Sequence, residues 1–143
     1  FALLNCDDHL SFLRAKGKDP SHYRPDICHQ ALLAILDSPL NKAGKVKGLY
    51  IHTANNVLIQ VNPQVRIPRT FKRFSGLMLQ LLQKLSIRST NGPDKLLKVV
   101  KGPVIKYFPP NARRVGFSYS SPDVVKLSDF VRELPDDVPA VFT

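Results

Sequence analysis

With 143 residues, 43% of them hydrophobic, and a formal charge of +10, the chain has the size of about one domain with a buried core and is not a disordered polyelectrolyte. No stretch has the length and apolarity to cross or lie in a bilayer, so no membrane partner is expected. The charge is concentrated: 12 Lys and Arg and a single acid, Asp94, fall between Arg66 and Arg114, while the remainder holds 9 basic and 10 acidic residues. A block of this kind suits a polyanionic partner, nucleic acid before membrane, and the plainer reading is a solvated basic face. Cys6 and Cys28 build no disulfide framework and lack paired zinc-ligand spacings, so a reduced intracellular setting and no metal are expected.

In chain order, Phe1 to Leu4 reads as the end of a buried strand, Asn5 to Asp8 as a loop or cap, and His9 to Ala15 as a short helix stopped by Gly17. Arg24-Pro25-Asp26 opens the next helix, with Ile27, Ala31, Leu32, Ala34, Ile35 and Leu36 as its apolar face and Ser38-Pro39 as its stop. Asn41-Lys42-Ala43-Gly44-Lys45 reads as a cationic loop able to approach a ligand, with Gly44 free to take positive φ. Val46 to His52 and Val57 to Val61 read as a hairpin around Asn55-Asn56.

Pro63 and Pro68 bracket an extended segment carrying Arg66 and Arg69. The helix that follows places Phe71, Phe74, Leu77, Met78, Leu81, Leu82 and Leu85 on one face, with Thr70 as a hydroxyl N-cap. Arg66, Arg69, Lys72 and Arg73 crowd its N-terminus, where the macrodipole and free N–H groups favour an anion. Further on, a short helix from Pro93 through Lys95 to Val100, a strand from Arg114 to Tyr119, a helix from Ser121-Pro122-Asp123 through Leu134 and a strand from Val138 to Phe142 are expected. Helices alternating with short strands give an α/β domain over residues 1–143, and both ends look cut from something longer.

No nucleophile motif, P-loop, dinucleotide fingerprint or metalloprotease helix is present. Among the carboxylates, Asp26 reads as a cap or as the ion-pair partner of Arg24, and Asp37, at the end of an apolar helix beside the basic loop, is the candidate to act on a bound nucleotide. His29 reads as a packing or capping residue. Aromatic residues are sparse, so arginine forks on phosphates and base edges, rather than base stacking, are the expected mode of RNA binding.

The strings A-L-L-N-C-D-D-H, R-P-D-I-C-H-Q-A-L-L-A-I-L-D-S-P-L-N-K-A-G, V-R-I-P-R-T-F-K-R-F-S-G-L-M-L-Q-L-L-Q-K-L-S-I-R-S and K-L-L-K-V-V-K resemble, almost end to end, the eukaryotic ribosome-biogenesis methyltransferases that act on a pseudouridine of small-subunit rRNA. These belong to the SPOUT superfamily. The resemblance implies a SPOUT-type open sheet flanked by helices with an inserted hairpin, and a C-terminal trefoil knot that this chain lacks. It also implies a homodimer using S-adenosylmethionine to methylate the N1 nitrogen of a pseudouridine in a pre-rRNA hairpin. The expected setting is the nucleolus of the nucleus, among small-subunit preribosome assembly factors.

By position, Arg24, Arg66, Arg69, Lys72 and Arg73 would grip the RNA, and Asn41, Lys42 and Gly44 would line the RNA-facing loop. Asp37 would lie near the target base, where it or a water takes the imino proton, and Asp26 would be structural. The family's glycine-rich cofactor loops follow the strand that here ends at Val141-Phe142-Thr143, so this chain is expected to be the RNA-binding half, inactive by itself. The alternative is a non-catalytic RNA-binding assembly factor.

Overall fold

Apolar residues in alternation and in steps of three and four build two different kinds of layer here. The computed structural model describes residues 1–143, and its contacts group into two compact units, Phe1–Gly102 and Pro103–Thr143, where one domain was expected. In the first unit the helices are α1 (Leu10–Ala15), α2 (Pro25–Leu36), α3 (Pro39–Lys42) and α4 (Phe71–Lys84). The strands are β1 (Leu49–His52), β2 (Leu58–Val61), β3 (Ser86–Arg88) and β4 (Lys95–Val100), joined as an antiparallel sheet in the order β1-β2-β4-β3. The expected hairpin is present: Leu49 pairs with Val61 and His52 with Leu58, and Asn56 takes φ 60 in its turn.

One side of this sheet is the core. Ile59, Val61 and Leu97 point from β2 and β4 onto Leu32 and Leu36 of α2 and Phe74, Met78 and Leu81 of α4. The intervening segment adds Val65 and Ile67. Phe74 and Leu81 are fully buried.

Several expectations are corrected. The segment Lys95–Val100 is a strand, not a helix, because β2 and β3 bracket it and take its backbone hydrogen bonds on both edges, a choice that β-branched Val99 and Val100 favour. Residues Phe1 to Leu4 form no strand, since no neighbour pairs with them. In α2 the inward residues are His29, Leu32 and Leu36, while Ile27 and Ile35 are exposed. This helix is apolar nearly all round, so periodicity leaves its orientation to the tertiary contacts. In α4, Leu82 and Leu85 lie outside the buried stripe, Leu85 because it turns left-handed at φ 61 to end the helix. Thr70 has the extended backbone of an N-cap, but its hydroxyl makes no capping bond. Asn41 and Lys42 lie in the helical turn α3 rather than in a loop; Gly44 beyond it has φ 71, as its loop requires.

The second unit holds a 3-10 turn (Val104–Tyr107), β5 (Arg113–Val115), α5 (Leu127–Arg132) and β6 (Ala140–Phe142), with β5 and β6 parallel. The strand-helix-strand order is the expected one, but the expected strand to Tyr119 stops at Val115 and the helix starts at Leu127. Around Ser121 the hydroxyl bonds locally to Asp123 N and O, a competitor of helical bonding. Phe117 stacks on Phe142 at 6.0 Å, and Arg114 lies over the Phe108 ring.

Candidate RNA-binding site

The site is built on the stretch from Asn62 to Thr70, which alternates buried Val65, exposed Arg66 and buried Ile67 before reaching exposed Arg69. Two side chains from elsewhere clamp its backbone. At one end the Asn41 amide donates both of its N–H groups, to Leu36 O at 2.9 Å and to Pro63 O at 2.8 Å. At the other, buried His29 donates from Nε2 to Pro68 O at 2.7 Å and stacks on Phe74 with ring centroids 4.4 Å apart. A carbonyl only accepts, so that nitrogen carries the proton. With apolar anchors between two hydrogen-bonded prolines, the segment presents its arginines from a fixed backbone.

Asp37, the residue after α2, takes Arg69 in a two-point ion pair, with Nη2 to Oδ1 at 3.0 Å and Nη1 to Oδ2 closer still. The two side chains are 69% and 44% exposed, so the pair contributes at most about 1 kcal/mol of stability. Its effect is orientation: it ties a guanidinium across 32 residues of chain. A guanidinium has five N–H groups, so three remain for phosphate or a base edge. Arg66, Lys72 and Arg73 form no ion pair, which leaves most of the charge at the mouth of α4 unneutralised.

Arg24 makes a second two-point pair at the start of α2, with Nε to Asp26 Oδ1 at 3.0 Å and Nη2 to Oδ2 at 2.7 Å. The hydrogen bonds from Arg24 hold the Asp26 carboxyl below its ordinary pKa, and those to Asp26 push the Arg24 guanidinium further up. Burial raises the Cys28 thiol, which disfavours the thiolate there.

Of the residues singled out from sequence, the structure brings Asp37 and Arg69 together, and Arg24 and Asp26. It gives Asn41 to the scaffold rather than to a ligand-facing loop, while Lys42 and Gly44 are exposed beside it. The two clamps were not read as such. His29 shares a three-and-four spacing with Leu32 and Leu36, a signal for burial, whereas nothing near Asn41 in sequence points to a carbonyl 22 residues away.

The family described as EMG1/NEP1 methyltransferase matches residues 1–141. The chain belongs to this family. It is similar to the human ribosomal RNA small subunit methyltransferase NEP1, 59% identical over 143 residues, covering 99% of this chain and 57% of that protein. Against the ribosomal RNA small subunit methyltransferase mra1 of Schizosaccharomyces pombe the identity is 62% over 124 residues, 87% of this chain and 34% of the relative. Among solved structures, Archaeoglobus fulgidus Nep1 bound to S-adenosylhomocysteine superposes with a TM-score of 0.74 at 28% identity, over 97% of this chain and 59% of that one. The chain spans about half the length of the curated relatives it matches. Its α/β architecture is that of the archaeal EMG1/NEP1 member, and its relatives' names make this an rRNA methyltransferase family.

Proposed function

We propose that this chain is the RNA-gripping part of an S-adenosylmethionine-dependent methyltransferase that methylates the N1 nitrogen of a pseudouridine in small-subunit pre-rRNA. The observation that carries this reading is the doubly clamped segment from Pro63 to Pro68, which fixes Arg66 and Arg69 beside Lys72 and Arg73 in a chain of the EMG1/NEP1 family. The same reading extends to a homodimer in the nucleolus that takes part in small-subunit assembly.

In this mechanism Arg66, Lys72 and Arg73 neutralise RNA phosphates, and Arg69 offers its remaining N–H groups with its plane set by Asp37. Asp37 has both oxygens on Arg69, so its part is to position that arginine. Neither of two cavities in the chain suits the methyl donor. One cavity, of about 270 Å³, is lined by Lys47, Lys95 and Lys98, which repel a sulfonium cation. The other is an apolar groove between Ile27, Ala31 and Ile35 of α2 and Leu49 and Ile51 of β1, with no carboxylate or glycine turn in it.

The test is binding of a small-subunit rRNA hairpin, followed by fluorescence anisotropy. For R66A/R73A we expect affinity to fall by more than tenfold and the salt slope by about 1.4 to 1.8; an unchanged slope overturns the grip. With the protein extended to the length of its relatives, labelled methyl from S-adenosylmethionine should reach a pseudouridine hairpin and not its uridine counterpart. Equal transfer to both refutes the assigned target. In that assay D37N should weaken RNA binding while leaving the pH profile of transfer unchanged; loss of a limb of the profile would make Asp37 the proton acceptor instead.

A further inference from the structure

The face of the four-stranded sheet turned away from α4 carries a second charged feature. Strand register aligns Tyr50, Gln60, Lys98 and Ser86 in one row across β1, β2, β4 and β3. Alternation along each strand turns that row opposite to the buried row of Leu49, Val61, Leu97 and Ile87. At the end of the sheet where β1 begins, Lys47, Lys95 and Lys98 surround a cup of about 270 Å³ together with Gly48, Gln60 and Asn62. All three lysines are exposed, none has an ion-pair partner, and no acid lines the cup.

The amides are set as donors. Asn62 Oδ1 accepts from Gln64 N at 2.9 Å, which leaves its NH₂ group as the free end. Gln60 Nε2 donates to the Tyr50 hydroxyl at 3.4 Å, which keeps that amide's N–H side on the same face. A Cβ at position 48 would lie 3.2 Å from the Tyr50 ring, so Gly48 lets that ring close over the backbone at the cup. Three unneutralised ammonium groups and amide donors around one small volume match a phosphate group, for which lysine serves as a point charge.

The cup also adjoins the arginine segment. Pro63 lines it, and Pro63 is the residue whose carbonyl Asn41 holds. Arg66 follows three residues later, at most about 10 Å along the chain. Exposed Lys42 and Lys45 lie on the connection between Asn41 and Lys47. We propose that the cup of Lys47, Lys95, Lys98, Gln60 and Asn62 is a second phosphate-binding site, which takes the backbone of the RNA strand held at Arg66 and Arg69 and so lengthens the footprint from the α4 mouth onto the outer face of the sheet. This inference rests on the RNA-binding reading above.

Hairpin binding is measured by anisotropy between about 50 and 200 mM salt for the wild type, K47Q/K95Q/K98Q and R66A/R73A. Each lysine-phosphate contact contributes about 0.7 to 0.9 to the slope of log affinity against log salt, so the triple variant should lose about two to three. K47R/K95R/K98R should keep the wild-type slope, which separates lost charge from lost folding. A triple variant within half a unit of wild type, while R66A/R73A still weakens binding, overturns the cup alone. A wild type without salt-dependent RNA binding overturns the cup and the RNA reading together. Inorganic phosphate is the second probe: if it shifts the Gln60 and Asn62 amide resonances while the RNA slope of the triple variant is unchanged, the cup takes only free anions and the proposal is overturned.

Discussion

The two units solve the problem of burying apolar surface differently. Every hydrophobic residue that is fully enclosed lies in Phe1–Gly102, from Leu13 to Leu97. In Pro103–Thr143 no hydrophobic side chain is fully enclosed: Phe117, Val125, Leu127 and Phe142 are about half exposed or more, and Phe108, Phe130, Leu134 and Val141 are only half-buried. The first unit stacks helices on one side of a four-stranded antiparallel sheet, enough for a core of its own. The second has a parallel pair of three-residue strands, and parallel strands are ordinarily covered on both faces. The candidate site is mounted on the unit that has the core, so its arginines are held by packing as well as by hydrogen bonds.

The largest test of this contrast is a pair of truncations. Phe74 is fully buried against His29, and F74A should cost about 3–5 kcal/mol in a urea titration. Phe142 is 47% exposed, and F142A should cost less than about 1 kcal/mol. Equal losses would abolish the distinction between the two units.

Next in size is the clamp. N41A strands the Pro63 and Leu36 carbonyls, which should cost about 1–3 kcal/mol of stability by the same titration. It should also weaken hairpin binding, although Asn41 itself touches no RNA in this reading. Full RNA affinity in a folded N41A would show that the arginines do not depend on the clamp.

The smallest effect belongs to the surface pair Arg24–Asp26. Hydrogen bonds from Arg24 depress the folded-state pKa of Asp26 below its ordinary 3.8. The wild type should therefore hold a small advantage over D26N at neutral pH, fully present above pH 3.8 and lost as the pH falls through the depressed value. Thermal melts of both proteins at neutral pH and near pH 2 to 3 check this. A difference that persists in acid would place the role of Asp26 outside the ion pair.

Much of this was legible beforehand, and the misses have physical causes. α4 was readable because its apolar residues recur in strict steps, and the β1–β2 hairpin because Asn55-Asn56 stands between two apolar runs. For Lys95–Val100, local pattern suggested a helix, but two flanking strands decided otherwise. In α2, apolar residues on every side gave periodicity no face to choose, and the stacking of His29 on Phe74 made the choice. Within the site, the cationic residues were visible one by one, but not which of them are already paired.

By itself, the amino-acid sequence determined the family, the concentration of positive charge after Arg66, and the helix behind it, because these are written in residue types and local spacing. Only the tertiary structure decided that Asn41 and His29 hold the carbonyls of Pro63 and Pro68, that Asp37 orients Arg69, and that Lys47 shares one cup with Lys95 and Lys98 of β4. Each of these joins groups far apart in the chain. Which distant groups meet is set by strand register and core packing, and neither is encoded in any short stretch of sequence.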